Sequence, residues 1–338
     1  MNRRGMGLWA VATTAAGLAL LAWVLQRSGA RLDLDALRAS WPLPVAAALW
    51  FIAPLAAASQ SWRLLFPGHG RPPPGAALRL TWIGLGVNWL LPVATIGGEV
   101  VKYRLGRQAG WPGERLAASL VADKTLQVST QILYLLVGAA LLLGMTGTLN
   151  WQLGGLLWLI GFAASVALFY RMQRAGMFSG LLNAFARAGG DANARRAGSR
   201  RIDAAIRRVY RRRGALLRAI GWRMTFRVLV AGEVALVILG LAWMTGTALP
   251  AVVAGAGGLL AASIVLESLT QGARAMAFFI PAGLGAQEGA LIGAGLLIGL
   301  PAETLLLVAL VKRARELTVG GAGLAAWQLS ETRRLVRA

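Results

Sequence analysis

The sequence predicts an all-α fold, a polytopic bundle of membrane-spanning helices, and three observations carry this prediction. The 338 residues are 57% hydrophobic and only 14% charged, with a mean hydropathy of +0.61. A water-soluble domain cannot cover its surface with so few polar groups. Long apolar runs recur along the chain, and most basic residues stand between them. Several tryptophans lie in or near the ends of these runs, where indole rings favour the membrane interface.

The formal net charge of +22 would suit a nucleic-acid-binding protein, but such a protein carries its basic residues on a water-facing surface. Lysines and arginines between apolar runs are instead typical of the cytoplasmic loops of membrane proteins. We therefore expect no nucleic-acid partner. The lack of cysteine excludes disulfides and thiolate chemistry, and the single histidine, His69, leaves no histidine cluster for a metal. No cofactor is expected.

Five apolar runs are long enough to form a membrane-spanning helix, which needs about 20 residues. The runs are Gly5 to Gln26, Ala39 to Trp62, Thr125 to Tyr170, about Arg223 to Trp243, and Leu249 to about Leu269. The first run exceeds the apolar core of a cleaved signal peptide, so we expect it to remain as a span. The third is long enough for two spans, and Gly147 to Asn150 supplies the turn between them.

An arginine-rich segment, residues 171–222, divides the chain into one membrane half at residues 1–170 and another at 223–338. Its charge predicts a cytoplasmic loop. From Arg195 to Arg218, apolar residues recur among the arginines, which fits a basic helix that lies on the membrane surface and binds anionic lipids. A solvated loop fits the same residues.

The two halves share a weak internal repeat. At a fixed offset of 189 residues, the stretch from Pro92 to Leu116 aligns without a gap with the stretch that ends at Leu305. The identical pairs are Pro92/Pro281, Glu99/Glu288, Gly106/Gly295, Gly110/Gly299, Pro112/Pro301, Glu114/Glu303 and Leu116/Leu305. Basic residues follow the break in the first copy only, which places that segment's exit in the cytoplasm and favours inverted over parallel repeats.

Each copy contains an apolar run too short to cross a membrane, Leu80 to Gly98 in the first and Ala275 to Gln287 in the second. Proline and glycine stop each run, and a glutamate opens the next helix. Backbone groups freed by such a break must be buried in protein or line a watery cavity. Paired breaks in corresponding positions point to a transporter's binding site. We therefore predict two broken or re-entrant helices that approach one another.

Residues at and after the breaks form the candidate binding site. Glycines there leave amide groups at a helix N-terminus, which favours an anionic group such as a lipid phosphate. Glu99 and Glu288 either take part in binding or only cap their own helices. The candidate substrate-binding residues are Gly97, Gly98, Glu99, Lys102, Arg104, Asp123, Lys124, Gly283, Gly285, Gln287, Glu288, Lys312, Arg313 and Glu316. No catalytic residue is assigned.

Charged residues continue in the long helix that we expect after each break. Asp123 with Lys124, and Lys312 with Glu316 one helical turn away, are expected to neutralise each other in part. Lys124 aligns with Arg313, and cations left unpaired would hold a phosphate headgroup. The alternative is that both helices end early and that these are loop charges.

Three segments carry a resemblance to a known family: LLPVATIGGEVVKYR (Leu90 to Arg104), FFIPAGLGAQEGALI (Phe278 to Ile292) and LVKRARE (Leu310 to Glu316). They resemble the flippase-like family typified by the transmembrane region of lysylphosphatidylglycerol synthases, and most closely its hopanoid-biosynthesis-associated branch. The resemblance implies a multi-pass protein of the bacterial inner membrane that handles lipids. No aminoacyl-transferase domain follows Trp327, so synthase activity is not expected.

Three functions are therefore open. The first is a lipid transporter or flippase that binds the headgroup of a hopanoid, polyisoprenoid or phospholipid, with proton uptake by Glu99 and Glu288 coupled to the motion. The second is an intramembrane enzyme that uses the same glutamates as acid and base. The third is a scaffold that assembles lipid-synthesis enzymes on the arginine-rich loop.

Overall fold

The structure is a computed structural model that describes residues 34–67, 70–91, 97–146, 208–277 and 283–335, together with a few single positions. Its regular elements are α-helices, which we number in chain order. They are α1 (Leu34–Ala39), α2 (Pro42–Trp50), α3 (Ile52–Leu64), α4 (Pro74–Leu90), α5 (Gly97–Gln108), α6 (Gly113–Thr146), α7 (Arg213–Thr245), α8 (Gly255–Met276), α9 (Ala286–Leu297) and α10 (Ala302–Leu335).

Three helical segments in the described residues are long and apolar enough to cross a membrane: Pro42–Leu64, Gly113–Thr146 and Arg213–Thr245. The first joins α2 to α3 through Phe51, which keeps helical dihedral angles. These segments confirm the predicted all-α membrane fold. The predicted span at Gly5 to Gln26, the part of the third run after Thr146 and most of the arginine-rich segment lie outside the described residues.

The long helices start earlier than the apolar runs that predicted them. α6 begins at Gly113 rather than near Thr125, and α7 begins at Arg213 rather than near Arg223. Charged residues therefore lie inside these helices, which apolar composition alone did not indicate. Just before α7, Val209 is buried against Leu64 and Leu65, so this residue of the predicted surface helix packs on the protein.

Two helical hairpins surround the predicted breaks. α4 ends at Leu90, Leu91 has extended backbone, and α5 packs back against α4, with Gly98 beside the backbone of Gly84. In the second half, α8 ends at Met276 and α9 packs against it in the same way. α5 and α9 have 12 residues each, or about 18 Å at 1.5 Å per residue, which is short of a ~30 Å hydrocarbon core. The break prolines, Pro92 and Pro281, lie outside the described residues.

The hairpins interleave, because the first arm of each packs against the long helix that follows the other. α4 packs on α10, where Gly86 faces the backbone of Gly320 and the Trp82 indole Nε1 donates a hydrogen bond to the Val319 carbonyl at 2.8 Å. α8 packs on α6, where Gly138 lies against Ser268. α7 contacts α3, α6, α8 and α10, so it runs beside both long helices.

Features of the two halves recur 189 residues apart. At that offset the end of α5 matches the end of α9, and the start of α6 matches the start of α10. The turns between the helices match as well, since Gly110 and Gly299 both have positive φ, 83° and 80°. Glycine suits such a backbone because it has no Cβ. These matches support the predicted repeat, while its inverted orientation stays a prediction.

The close approach of α4 to α10 gives a test of the fold. A Cβ at Gly86 would lie 2.5 Å from the carbonyl oxygen of Gly320, whereas a Cβ at Gly321, also in α10, would meet nothing within 4 Å. We expect Gly86→Ala to destabilise the protein by about 1–3 kcal/mol, because the helices must separate. Thermal unfolding of the purified protein in detergent measures this, with Gly321→Ala as control. Equal midpoints for the two variants would contradict the packing.

Candidate functional site

Charged side chains gather inside the bundle in two groups. The first cluster contains Glu99, Asp123, Lys102, Lys124, Arg223 and Arg227. The second cluster contains Glu233, Glu267, Glu288, Glu316, Arg274, Lys312, Arg313 and Arg315. Most of these side chains are buried and the others are at most partly exposed. Charges within membrane-spanning segments are costly, so they mark functional positions by default.

Glu99 stands in the first turn of α5 and contacts two other helices. Its Oε1 atom lies 3.3 Å from Lys124 Nζ on α6. Its Oε2 atom accepts a hydrogen bond from Asn88 Nδ2 on α4 at 3.3 Å, and Asn88 Oδ1 accepts one from the Gly98 amide at 2.8 Å. The start of the short helix is thereby tied to both α4 and α6.

Asp123 neutralises cations from two sides. It forms an ion pair with Arg223 on α7, and its second oxygen lies 3.8 Å from Lys102 Nζ on α5. Lys102 is also 4.0 Å from the centre of the Trp62 ring, where a cation–π contact adds stabilisation. One carboxylate therefore holds α5, α6 and α7 together.

Glu288 occupies the matching place at the start of α9. Its Oε2 accepts a hydrogen bond from the Gly285 amide at 2.8 Å, which caps the helix, and its Oε1 lies 2.6 Å from Arg313 Nε on α10. Arg313 also pairs with Glu316, and Arg274 on α8 pairs with the same carboxylate, both at 2.8 Å. Glu288 thus caps its own helix and also makes an ion pair, so capping is not its whole contribution, while its part in binding stays a prediction.

The two glutamates make the same contact in the two halves. Glu99 pairs with Lys124 and Glu288 with Arg313, and in each case the cation stands 25 residues after the glutamate. Both pairs link the first turn of a short helix to the middle of the long helix that follows. The surroundings differ, since Lys102 beside the first pair aligns with the apolar Leu291.

The rest of the second cluster links α10 to α7 and α8. Lys312 forms an ion pair with Glu267, which also accepts a hydrogen bond from Gln271 at 2.7 Å. Arg315 lies 3.0 Å from Glu233 and stacks 4.3 Å from the Phe51 ring. Its second aromatic contact, Trp89 at 4.9 Å, comes from the end of α4. The end of α4 therefore reaches the second cluster. The approach of the two breaks stays a prediction, because both breaks lie outside the described residues.

The ion pairs differ from those that the sequence suggested. Asp123 makes no ion pair with Lys124, because adjacent residues on a helix face different neighbours. Lys312 attracts Glu316 as expected, but each also forms an ion pair with a partner on another helix. The cations Lys124, Lys312 and Arg313 are each ion-paired with a glutamate. The alternative of loop charges is wrong, because α6 and α10 continue through them.

The remaining predicted site residues fall into two groups. Gln287 lies with Glu288 at the start of α9 and lines a small cleft. The other residues that line this cleft are Thr270, Leu291, Ala309, Lys312, Arg313 and Glu316. Gly283 packs beside Gln287 and Gly97 begins α5. Arg104 lies elsewhere, since its exposed side chain pairs with Glu331 at 3.0 Å.

Six charged residues of the clusters are absent from the predicted site: Arg223, Arg227, Glu233, Glu267, Arg274 and Arg315. Three of them carried a readable signal, because Arg227, Glu233 and Glu267 are isolated charges inside two predicted apolar spans. An ionisable residue within a span is a functional candidate by default. The described residues contain no cluster of three or more side chains suited to a metal.

The fold and these clusters define a helical, multi-pass membrane protein with an ion-paired interior. The chain belongs to the family of the lysylphosphatidylglycerol synthase TM region, which matches residues 8–323. It is therefore a membrane protein of a family associated with lipid metabolism, and the predicted resemblance is confirmed. The hopanoid-associated branch stays a prediction. No curated protein and no solved structure matches the chain.

The pair between Glu233 and Arg315 gives a test of the site's electrostatics. Glu233→Gln keeps the shape of the side chain but leaves the buried Arg315 without its carboxylate, so we expect a loss of about 3–5 kcal/mol in stability. The matched change Glu303→Gln, at an exposed position of α10, is expected to leave stability unchanged. Thermal unfolding in detergent compares the two, and an unaltered midpoint for Glu233→Gln would show that the pair contributes little.

Proposed function

We propose that the protein is a lipid transporter of the bacterial inner membrane that binds an anionic or polar headgroup at the two glutamate–cation pairs. The observation that carries the proposal is the recurrence of these pairs at the starts of two short helices, Glu99 with Lys124 and Glu288 with Arg313. Membership in a family associated with lipid metabolism supports a lipid as the substrate. A hopanoid, a polyisoprenoid lipid or a phospholipid fits this chemistry.

The ion pairs provide a mechanism by which a headgroup replaces a glutamate as the partner of the cation. A phosphate group accepts charge-assisted hydrogen bonds from lysine and arginine, so it competes with the carboxylate for the same cation. A glutamate that takes up a proton no longer holds its cation as an anion and becomes a hydrogen-bond donor. Proton uptake at Glu99 or Glu288 would therefore release Lys124 or Arg313 for the headgroup, and proton loss would return the cation to the glutamate.

The side chains that line the cleft beside the pair of Glu288 and Arg313 fit a polar headgroup. Thr270 and Gln287 supply neutral hydrogen-bonding groups there, and Lys312 supplies a buried cation. Leu291 and Ala309 form an apolar part of the same lining. Such a mixed surface suits a ligand whose headgroup is polar and whose tail stays in the bilayer.

Two further partners belong to the proposal. The arginine-rich segment at residues 171–222 would bind anionic lipids at the cytoplasmic surface, because basic clusters beside a membrane are attracted to them. The same segment would dock lipid-synthesis enzymes that supply or consume the transported lipid.

Replacement of the glutamates tests the proposal in reconstituted vesicles. We expect Glu99→Gln and Glu288→Gln each to slow the movement of fluorescent phosphatidylglycerol between leaflets by about tenfold or more, equivalent to ~1.4 kcal/mol. The physical reason is that a glutamine can neither hold the cation as an anion nor exchange a proton. A membrane-impermeant reductant that quenches only the outer leaflet measures the rate.

Matched controls are available in the same repeats. Glu114→Gln and Glu303→Gln make the same chemical change in the first turns of α6 and α10, outside both clusters, and are expected to keep the native rate. Native rates for both Glu99→Gln and Glu288→Gln would refute the assigned roles. A chemically altered lipid, detected by mass spectrometry, would instead identify an intramembrane enzyme. A native protein that causes neither movement nor chemical change would favour a scaffold.

A further inference from the structure

The two clusters differ in their balance of charge. The second cluster contains four carboxylates and four cations, and each member is in an ion pair. Among the described residues, the first cluster contains two carboxylates, Glu99 and Asp123, against four cations, Lys102, Lys124, Arg223 and Arg227. Two positive charges are therefore in excess inside the first cluster. An uncompensated buried charge is strongly destabilising, so this excess calls for an anion.

Arg227 shows where the excess lies. It is 4% exposed, in the middle of α7, and its guanidinium donates to neutral groups of α6. Its Nη1 donates to Gln131 Oε1 at 2.6 Å, and its Nη2 donates to the Gln127 carbonyl at 2.7 Å and to Thr130 Oγ1 at 3.1 Å. In the part of the chain that the structure describes, no carboxylate forms an ion pair with Arg227.

The acidic residue that attracts Arg227 does not resolve this imbalance. Glu267 on α8 is close enough to attract Arg227 electrostatically, but it forms its ion pair with Lys312 and a hydrogen bond with Gln271. Asp123 is likewise committed, because it is shared between Arg223 and Lys102. Neither carboxylate is available to Arg227 as a direct partner.

Two buried donors beside Arg227 have no hydrogen-bond partner among the described residues. The Tyr134 side chain is 2% exposed, its ring centre lies 5.5 Å from the Arg227 guanidinium, and its hydroxyl is unpartnered. The Nε of Arg223, one turn before Arg227 on α7, is also unpartnered. Buried polar groups are normally satisfied, so unmet donors next to excess positive charge indicate an anionic ligand.

A stripe of half-buried polar side chains on α6 ends beside Arg227. Lys124, Gln127 and Gln131 follow at spacings of three and four residues, so they lie on one face of the helix. Lys124 is the partner of Glu99, and Gln131 is a partner of Arg227. The stripe therefore connects the first glutamate–cation pair to the excess charge.

From these observations we infer that Arg227, Arg223 and Tyr134 form a binding site for a phosphate group between α6 and α7. A phosphate offers several acceptor oxygens and negative charge, which match the guanidinium groups and the tyrosine hydroxyl. The site is distinct from the two glutamate–cation pairs. The role of this site in holding a headgroup phosphate during transport rests on the proposed function. Phosphate binding itself can be measured independently of transport.

Ligand-induced stabilisation of the purified protein in neutral detergent tests this site. Phosphatidic acid is expected to raise the unfolding midpoint of the native protein, since a ligand that binds only the folded state stabilises it. Diacylglycerol, which lacks the phosphate, is expected to produce no shift. Arg227→Gln is expected to weaken the apparent affinity for phosphatidic acid by about tenfold or more, because one charged hydrogen-bonding group is lost. Tyr134→Phe is expected to weaken it less.

Controls separate binding from a merely structural role. Arg218→Gln changes an exposed arginine of the same helix, so it is expected to retain the lipid-induced shift. Arg227→Lys keeps the charge but loses the planar guanidinium, so its affinity for phosphatidic acid is expected to lie between those of the native protein and Arg227→Gln. If Arg227 only joined α7 to α6, Arg227→Gln would lower the lipid-free midpoint and leave the shift intact. That result, or an equal shift with diacylglycerol, would overturn the inference.

Inorganic phosphate as a second probe identifies the source of the group. A shift with inorganic phosphate that Arg227→Gln abolishes would support the site and assign free phosphate to it, whereas a shift with phosphatidic acid alone would assign a lipid headgroup. The outcome does not depend on transport. Native lipid movement in Glu99→Gln and Glu288→Gln would refute the glutamate mechanism while the phosphate site could stand.

Discussion

Pairing of charge inside an apolar bundle is the constraint on which this structure depends. A lone charge in such an environment is strongly unfavourable, so each carboxylate must meet a cation from another helix. Asp123 joins α6 to α5 and α7, Glu316 joins α10 to α8, and Glu233 joins α7 to α10. Apolar packing tolerates many arrangements, whereas these contacts require particular helices to be neighbours. The same contacts place the candidate site at the junctions between helices.

Glycine residues let the helices approach closely enough for short polar contacts. Gly98 faces the backbone of Gly84, and Asn88 can then bond both the Gly98 amide and Glu99 across the first hairpin. In the second half the Gly285 backbone, with φ of 77°, directs its amide to the Glu288 carboxylate. The two hairpins therefore hold their glutamates through different local hydrogen bonds. The position of the carboxylate relative to the long helix is the same in both.

The features that depend on local sequence could be predicted, and those that depend on partner choice could not. Apolar runs, prolines and glycines indicated the membrane helices and the short helices after each predicted break. The pairing of Asp123 was predicted wrongly because spacing along one helix says nothing about which cation another helix supplies. Glu267 was missed because it lies within an apolar run that was interpreted as an uninterrupted span. A single charged residue in such a run is itself an indication of function.

The two halves differ in the charges that they place at aligned positions. The aligned positions Asp123 and Lys312 carry opposite charges, so each recruits a different partner from outside its repeat, Arg223 for one and Glu267 for the other. The second cluster thereby becomes neutral, while the first cluster retains Arg227 in contact with neutral groups only. Because cations attract anions, the proposed phosphate site is expected at the first cluster rather than at the second.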